Sequence, residues 1–190
     1  KNETIKQIVT LQENGGDYPI HQKRELTEQL PALKKQNLKA SDYANRTIHQ
    51  LFPEEVLAKS IVKKVETSAS VIAINEGNGK FTIQNLPPRV QLSCICDITC
   101  TDVNNDGNLD LIMAGNNFEY KPQFSRLDAS QGNLLLGDGK LGFTWQEYDT
   151  SGFKVRDEVK YIEQFKDKNG KTFVITAINN NKPKIFAINE

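Results

Sequence analysis

The stretch "ICDITCTDVNNDGNLDLIMAGN", residues 95–116, carries the reading of the fold. An alternating run leads into a loop rich in Asp and Asn, and the loop gives way abruptly to an apolar run. From Asp102 onward every second residue bears an oxygen side chain: Asn104, Asp106, Asn108 and Asp110. Gly107 stands at the sixth position, where such a loop turns most sharply. Alternate oxygens in a tight loop suit a hard cation that takes about six to eight oxygen ligands. The loop offers no nitrogen or sulfur donor of the kind zinc prefers, so the ion expected is Ca2+. The expected ligands are the side chains of Asp102, Asn104 and Asp106, the backbone carbonyl of Asn108, and Asp110 as the closing carboxylate. An EF-hand is ruled out, because its twelfth position is Met113 where a bidentate Glu belongs. The flanks "LSCICDIT" and "LIMAGN" also read as strands rather than helices. The alternative is an Asx-rich turn that holds no metal.

Strands continue outward from this loop. Short apolar or alternating runs separated by Asn, Gly and Asp fill the chain from residue 60 onward. One unit reads as four strands, near 94–101, 109–114, 132–137 and 142–147. The unit recurs. "NEGNGKFTIQNL" resembles "LGDGKLGFTWQEY", with Phe81 and Phe143 62 residues apart. The quoted stretch resembles "VKYIEQFKDKNGKTFVITAINN", with Gly107 and Gly170 63 residues apart. Two independent anchors at nearly one offset indicate one structural unit repeated. The preceding unit keeps "IKQIVTL", "SVIAIN" and "FTIQNL"; the last has "VKYIEQF", "TFVITAI" and "KIFAIN" and no fourth strand. The expected fold is therefore mainly β: a partial β-propeller of about three four-stranded antiparallel blades, the outer two incomplete. The turns "GNGK" at 77–80, "GDGK" at 137–140 and "KDKNGKT" around Asp167 read as plain turns with too few oxygens for a cage.

Between "IKQIVTL", read as the second strand of the early unit, and "SVIAIN", read as its third, lies a different pattern. Leu26, Leu30 and Leu33 fall at helical spacing, and Pro31 punctuates them. Ser41 is an expected N-cap ahead of Ala44, Ile48, Leu51 and Phe52, and Pro53 opens a further short helix. These stripes are expected to bury against their own domain. The division expected is residues 1–22 as an edge strand of the first partial blade, 23–59 as a helical insertion, and 60–190 as blades.

Composition narrows the function. The 190 residues carry 24 Lys plus Arg and 24 Asp plus Glu, so no net charge draws the chain to nucleic acid or an anionic membrane. No apolar run approaches the ~18 residues of a membrane span. "KNETIKQIVT" has neither an initiating Met nor a signal-peptide core, so the chain reads as a processed or excised segment. Cys94, Cys96 and Cys100 are too few and too clustered for a disulfide framework; on a strand they would share one face as small packed side chains. His21 and His49 have no zinc-type spacing. No GxSxG elbow, Walker loop or GxGxxG is present, and no paired carboxylates stand outside the Asp loop. Arg126 and Asp128 read as an ion pair or turn, and "FEY" at 118–120 as at most a recognition surface. The chain is not expected to be an enzyme.

"DVNNDGNLDLIMAGN", "NEGNGKFT" and "LLLGDGKLGFT" together resemble the FG-GAP or VCBS repeats of integrin-like β-propellers. More narrowly, "DYPIHQKRELTEQLPALKKQ" and "KPQFSRLDASQGNLLLGDG" resemble the C-terminal part of large FG-GAP/VCBS-repeat proteins of Bacteroidetes cell envelopes. That likeness covers essentially the whole chain. It departs at Asn104, where the family usually has Asp, and at Ser125, where Gly is expected. The resemblance implies a seven-bladed parent propeller at the cell envelope. It implies a non-catalytic, calcium-stabilised binding or adhesion scaffold, with a protein or glycan ligand. The partners expected are the remainder of the parent propeller, or a second copy, pairing through the sheet edges of an incomplete fold. An accessory or catalytic module acting on polysaccharide, and a purely structural spacer, are the alternatives.

Overall fold

The computed structural model describes residues 5–120 and 124–188. The chain is mainly β, with four small antiparallel sheets and a few short helices, and divides into two compact units, Lys1–Val65 and Glu66–Glu190. No closed barrel forms among the described residues. Nor is any described helix long and apolar enough to cross a membrane.

The first unit opens with β1 (Thr10–Glu13) and β2 (Gly16–Pro19), paired only with each other. The strand expected over "IKQIVTL" thus starts later, and "NGGDYP" continues the sheet instead of breaking it. Asn14 and Gly15 both have positive φ (49° and 78°), the geometry of a two-residue hairpin turn. Because β1 closes on β2, it is not a strand of the sheet formed by "SVIAIN" and "FTIQNL".

Five short helices follow: α1 (Lys23–Gln29), α2 (Leu33–Gln36), α3 (Ala40–Ala44), α4 (Ile48–Leu51) and α5 (Glu54–Leu57). Gln22 and Glu25 form a capping box at the head of α1. The helix expected to begin at Ser41 breaks in two, because Thr47 and Gln50 form a second capping box that restarts it. Ser41 itself lies inside α3, whose N-cap is Lys39. Leu26, Leu33, Tyr43 and Leu51 make the buried cluster that holds these turns together, and the Tyr43 hydroxyl donates to the His21 carbonyl at 2.8 Å. Helices this short gain their stability from such packing rather than from propensity.

In the second unit β3 (Val71–Gly77) and β4 (Lys80–Asn85) form a hairpin. A four-stranded meander follows: β5 (Ile95–Thr101), β6 (Asp110–Gly115), β7 (Asn133–Gly137) and β8 (Phe143–Trp145), in that spatial order. The last sheet has β9 (Val159–Lys166), β10 (Thr172–Ile178) and β11 (Lys184–Ala187), with β10 central. All pairings are antiparallel. A single short helix, α6 (Tyr148–Ser151), follows β8.

The period-two alternation of β6 and β7 sorts their side chains onto two cores. Ile112, Ala114 and Leu134 bury against Val159, Ile162 and Val174 of the last sheet. Leu111, Met113 and Leu135 turn the other way, toward Ile72, Leu86 and Val90 beside the β3–β4 hairpin. The four-stranded sheet is therefore covered on both faces, and so "LDLIMAG" and "NLLLG" read as nearly continuous apolar runs.

Leu135 is fully buried, whereas Leu109, just before β6, is 64% exposed. Leu135→Ala is expected to lower unfolding free energy by about 2–5 kcal/mol. Leu109→Ala should change it by less than about 0.5 kcal/mol. Chemical denaturation of both variants checks the contrast.

Candidate functional site

The Asp loop connects β5 to β6, so a strand stands on each side of it, as its flanks indicate. Its side chains are ordered by the loop's own backbone. Asp102 accepts from the Gly107 amide at 2.8 Å and the Asp106 amide at 3.3 Å. Asn104 Oδ1 accepts from the same Asp106 amide at 3.2 Å, and its amide nitrogen donates to Asp106 Oδ2 at 3.0 Å. Asp106 Oδ1 accepts from the Asn108 amide at 2.8 Å. Gly107 takes a φ of 84°, which a side chain would strain. Hydrogen bonds from the Asn108 amide, and next from the Asn104 side chain, hold the Asp106 carboxyl below the usual carboxylate range.

Asp110 behaves differently. It is fully buried. Its Oδ2 accepts from the Val103 amide and its Oδ1 from the Gly137 amide, each at 2.8 Å. The carboxylate thus ties the first turn of the loop to the end of β7. Gly137 is glycine for a steric reason: a Cβ there would collide with the Leu109 carbonyl.

The structure therefore joins Asp102, Asn104 and Asp106 in one hydrogen-bonded loop and sets Asp110 at its base. Among the described residues, no group of three or more His, Cys, Asp or Glu is gathered in an arrangement that could hold a metal. The donor chemistry of Asp102, Asn104, Asp106 and the Asn108 carbonyl fits a hard cation, since each carboxylate oxygen keeps a second lone pair. Asp110, like Asp102, has one lone pair of each oxygen on a backbone amide and keeps the second; it differs in being fully buried.

The cysteines do not share a face as expected. A β-bulge between Ile95 and Asp97 inserts one extra residue, so Ile95 packs toward the β3–β4 side while Asp97 accepts from the Ile162 amide on β9 at 2.6 Å. Cys96, on the bulge, donates weakly to the Asn116 carbonyl at 3.7 Å, and Cys100 lies opposite Leu111. All three thiols are free, and Cys96 and Cys100 are exposed rather than packed.

Arg126 and Asp128 stand 3.9 Å apart as an exposed pair, and Arg126 also lies over the Phe118 ring at 4.3 Å. Tyr120 meets Phe124 edge-on at 6.2 Å. Asp167 accepts from the Asn169 and Lys171 amides in a tight turn between β9 and β10.

Two polar residues were not singled out from the sequence. Asn116, fully buried at a φ of 101°, exchanges two hydrogen bonds with Ser130 and donates to the Arg156 carbonyl. Glu158, 2% exposed, accepts from Lys160 Nζ at 2.7 Å and Asn179 Nδ2 at 2.8 Å. Both fasten the four-stranded sheet or the last sheet to the segments that link them. Their only signal in the sequence is an apolar run that ends in Asn and a Glu that begins one, which is too common to stand out.

Comparison of the chain with models of known protein families, with curated proteins and with solved structures finds no match.

Two measurements test this geometry. In Asp110→Asn an NH2 replaces one acceptor and faces a backbone N–H, leaving buried donors unsatisfied. In the presence of a chelator it should cost about 2–4 kcal/mol. Asp106→Asn, whose partners reach water, should cost less than about 1 kcal/mol.

The second measurement is pH dependence. Hydrogen bonds from Lys160, then Asn179, hold the Glu158 carboxyl below its ordinary value. Its contribution is fully present above the ordinary Glu value of about 4.3 and is lost as pH falls through the lower folded value. Glu158→Gln should melt lower than the unsubstituted chain at pH 7. Its melting temperature should also fall less steeply on acidification below about pH 4.3.

Proposed function

We propose that the chain is part of an FG-GAP/VCBS-type β-propeller of the cell envelope and serves as a non-catalytic, calcium-stabilised binding or adhesion scaffold. The observation that carries this reading is the serial stacking of the sheets. A four-stranded antiparallel meander is covered on one face by the preceding hairpin and on the other by the following sheet. The units recur at an offset of 62–63 residues. Four-stranded sheets arranged in series are how propellers protect their edges. The position of the Asp loop, between the first two strands of its sheet, also fits the family resemblance.

In this reading Asp102, Asn104, Asp106, the Asn108 carbonyl and Asp110 would hold the ion, and the bonds of Asp110 to Val103 and Gly137 would also hold the loop to the sheet. When bound, the ion would supply positive charge against Asp102 and Asp106, whose mutual repulsion otherwise loosens the turn. The outer sheet edges would pair with the remainder of the propeller or with a second copy. A polysaccharide-processing module would be expected to expose its aromatics along a cleft. The single Trp, Trp145, is instead packed against the β3–β4 side, edge-on to Tyr148 at 5.1 Å and beneath Arg89 at 5.4 Å. Glycan-array or pull-down binding separates a binding scaffold from a structural spacer.

Calcium is the direct test. A ligand that binds only the folded state stabilises by about 2.7 kcal/mol at a hundredfold excess over Kd. Millimolar calcium should raise the melting temperature and a chelator should lower it. Asp106→Ala should abolish the difference, and Asp167→Ala should leave it intact. An unchanged melting curve together with no calorimetric heat of calcium binding would reduce the loop to an Asx-rich turn.

A further inference from the structure

The cysteines are reactive side chains to which neither the Asp loop nor the proposed scaffold gives a role. Cys94 stands just before β5, and Cys96 is the second residue of that strand. The two lie on one side of the sheet. Cys96 donates to the Asn116 carbonyl and has Lys160 and Glu158, at the start of β9, as charged neighbours. The Cys94 thiol lies beside that of Cys96. Cys100 is opposite Leu111, which serves the other core, so it belongs to the opposite face.

The pair flanks the β-bulge. Along a regular strand, residues i and i+2 are about 6.6 Å apart at Cα, close to the limit of about 6.8 Å that a disulfide usually spans. A bulge bends its strand and brings such residues nearer. Here the register shifts between Ile95 and Asp97, so Cys96 is the extra residue. Gly115, opposite Ile95, leaves room for the bent segment, because a Cβ there would collide with the Cys94 carbonyl. Access also differs along the pair: Cys96 is exposed and Cys94 half-buried. Burial, and next the Cys94 thiol, push the Cys96 thiol up, while Lys160 pulls it the other way. Such a thiol suits slow exchange rather than fast nucleophilic catalysis.

We infer that Cys94 and Cys96 form a reversible dithiol–disulfide site, closed by exchange with a small external disulfide such as oxidised glutathione. The Cys96 thiolate attacks one sulfur of that disulfide, forms a mixed disulfide and expels one thiolate. Cys94 gives its proton to solvent and attacks the Cys96 sulfur, expelling the second thiolate. The protein loses two electrons and two protons, and the external disulfide becomes two thiols. Closure also removes the S–H that Cys96 donates to Asn116. Exposed disulfides are the readily reduced ones, so this bond reports the redox state of its surroundings instead of stapling the fold. Cys100, on the opposite face, takes no part. The inference does not depend on calcium or on the parent being a propeller.

The test uses the full chain, reduced, then incubated with oxidised glutathione at mildly alkaline pH, after which remaining thiols are alkylated. Mass spectrometry should show the loss of two hydrogens and the gain of one alkyl group. Fragments should place that group on Cys100 and the link between Cys94 and Cys96. Cys100→Ser should close as readily, and Cys94→Ser should halt as a mixed disulfide on Cys96. In a glutathione buffer of fixed composition, the folded chain should favour closure at least ~10-fold more than the chain in urea, because the bulge already brings the sulfurs together. A chain that keeps three free thiols overturns the inference. So does a glutathione adduct that persists in the unsubstituted chain, a disulfide joining two chains, or equal closure in urea. These arms use the unsubstituted chain and decide the matter even if a variant misfolds.

Discussion

A buried carboxylate sits where three parts of the second unit meet. Asp110 begins β6, receives the amide of Val103 from the Asp loop, and receives the amide of Gly137 from the end of β7. A buried carboxylate is costly unless hydrogen bonds replace its water, and here two backbone amides do so. In return the loop cannot drift from the sheet, and β7 stays in register beside β6. The adjoining Gly137 permits this approach, because the Leu109 carbonyl occupies the space a side chain would need. Whatever else the Asp loop does, its foundation is this hydrogen-bonded corner.

From that corner the sheet extends as a two-faced layer. Ile112, Ala114 and Leu134 serve one core, and Leu111, Met113 and Leu135 serve the other. Neither outer sheet has this advantage. Phe81 and Ile83 of β4 are 54% and 57% exposed, and Ile185 of β11 is 58% exposed. In the repeat alignment Phe81 corresponds to Phe143, which is packed. The difference between them is therefore one of neighbours and not of sequence.

The four-stranded sheet was legible because its signals are local. Alternation marks β5, apolar runs mark β6 and β7, and Gly-containing turns separate them, so the meander and its order follow from the chain. The Asp loop was legible for the same reason, since its oxygens recur with period two. What sequence reasoning missed depends on contacts made over distance or on one extra residue. The bulge at Ile95–Asp97 leaves no mark in "CICDIT", yet it separates Cys96 from the face of Cys100. The Asn14–Gly15 turn reads equally as a break and as a hairpin until its partner strand is known. Thr47 divides a helix because Gln50 can reach back to its amide, which a stripe of apolar residues does not reveal. The role of Asp110 was half legible: its position suggested a ligand, but its burial against Val103 and Gly137 is a property of the folded sheet.

Covering β6 on both faces also determines how the molecule opens. Amides of β6 are flanked by paired strands and roofed on each side by a core, so they can exchange with solvent only when the neighbouring layers part. Those of β11 have no described strand on their outer side and those of the β3–β4 hairpin a thinly covered face, and both can open while the central layer stays packed. The second unit thus has a gradient of local stability, highest at its central layer and falling toward both outer sheets. Breathing motions of the fold are concentrated at those two ends, while the base of the Asp loop stays anchored to the part that moves least.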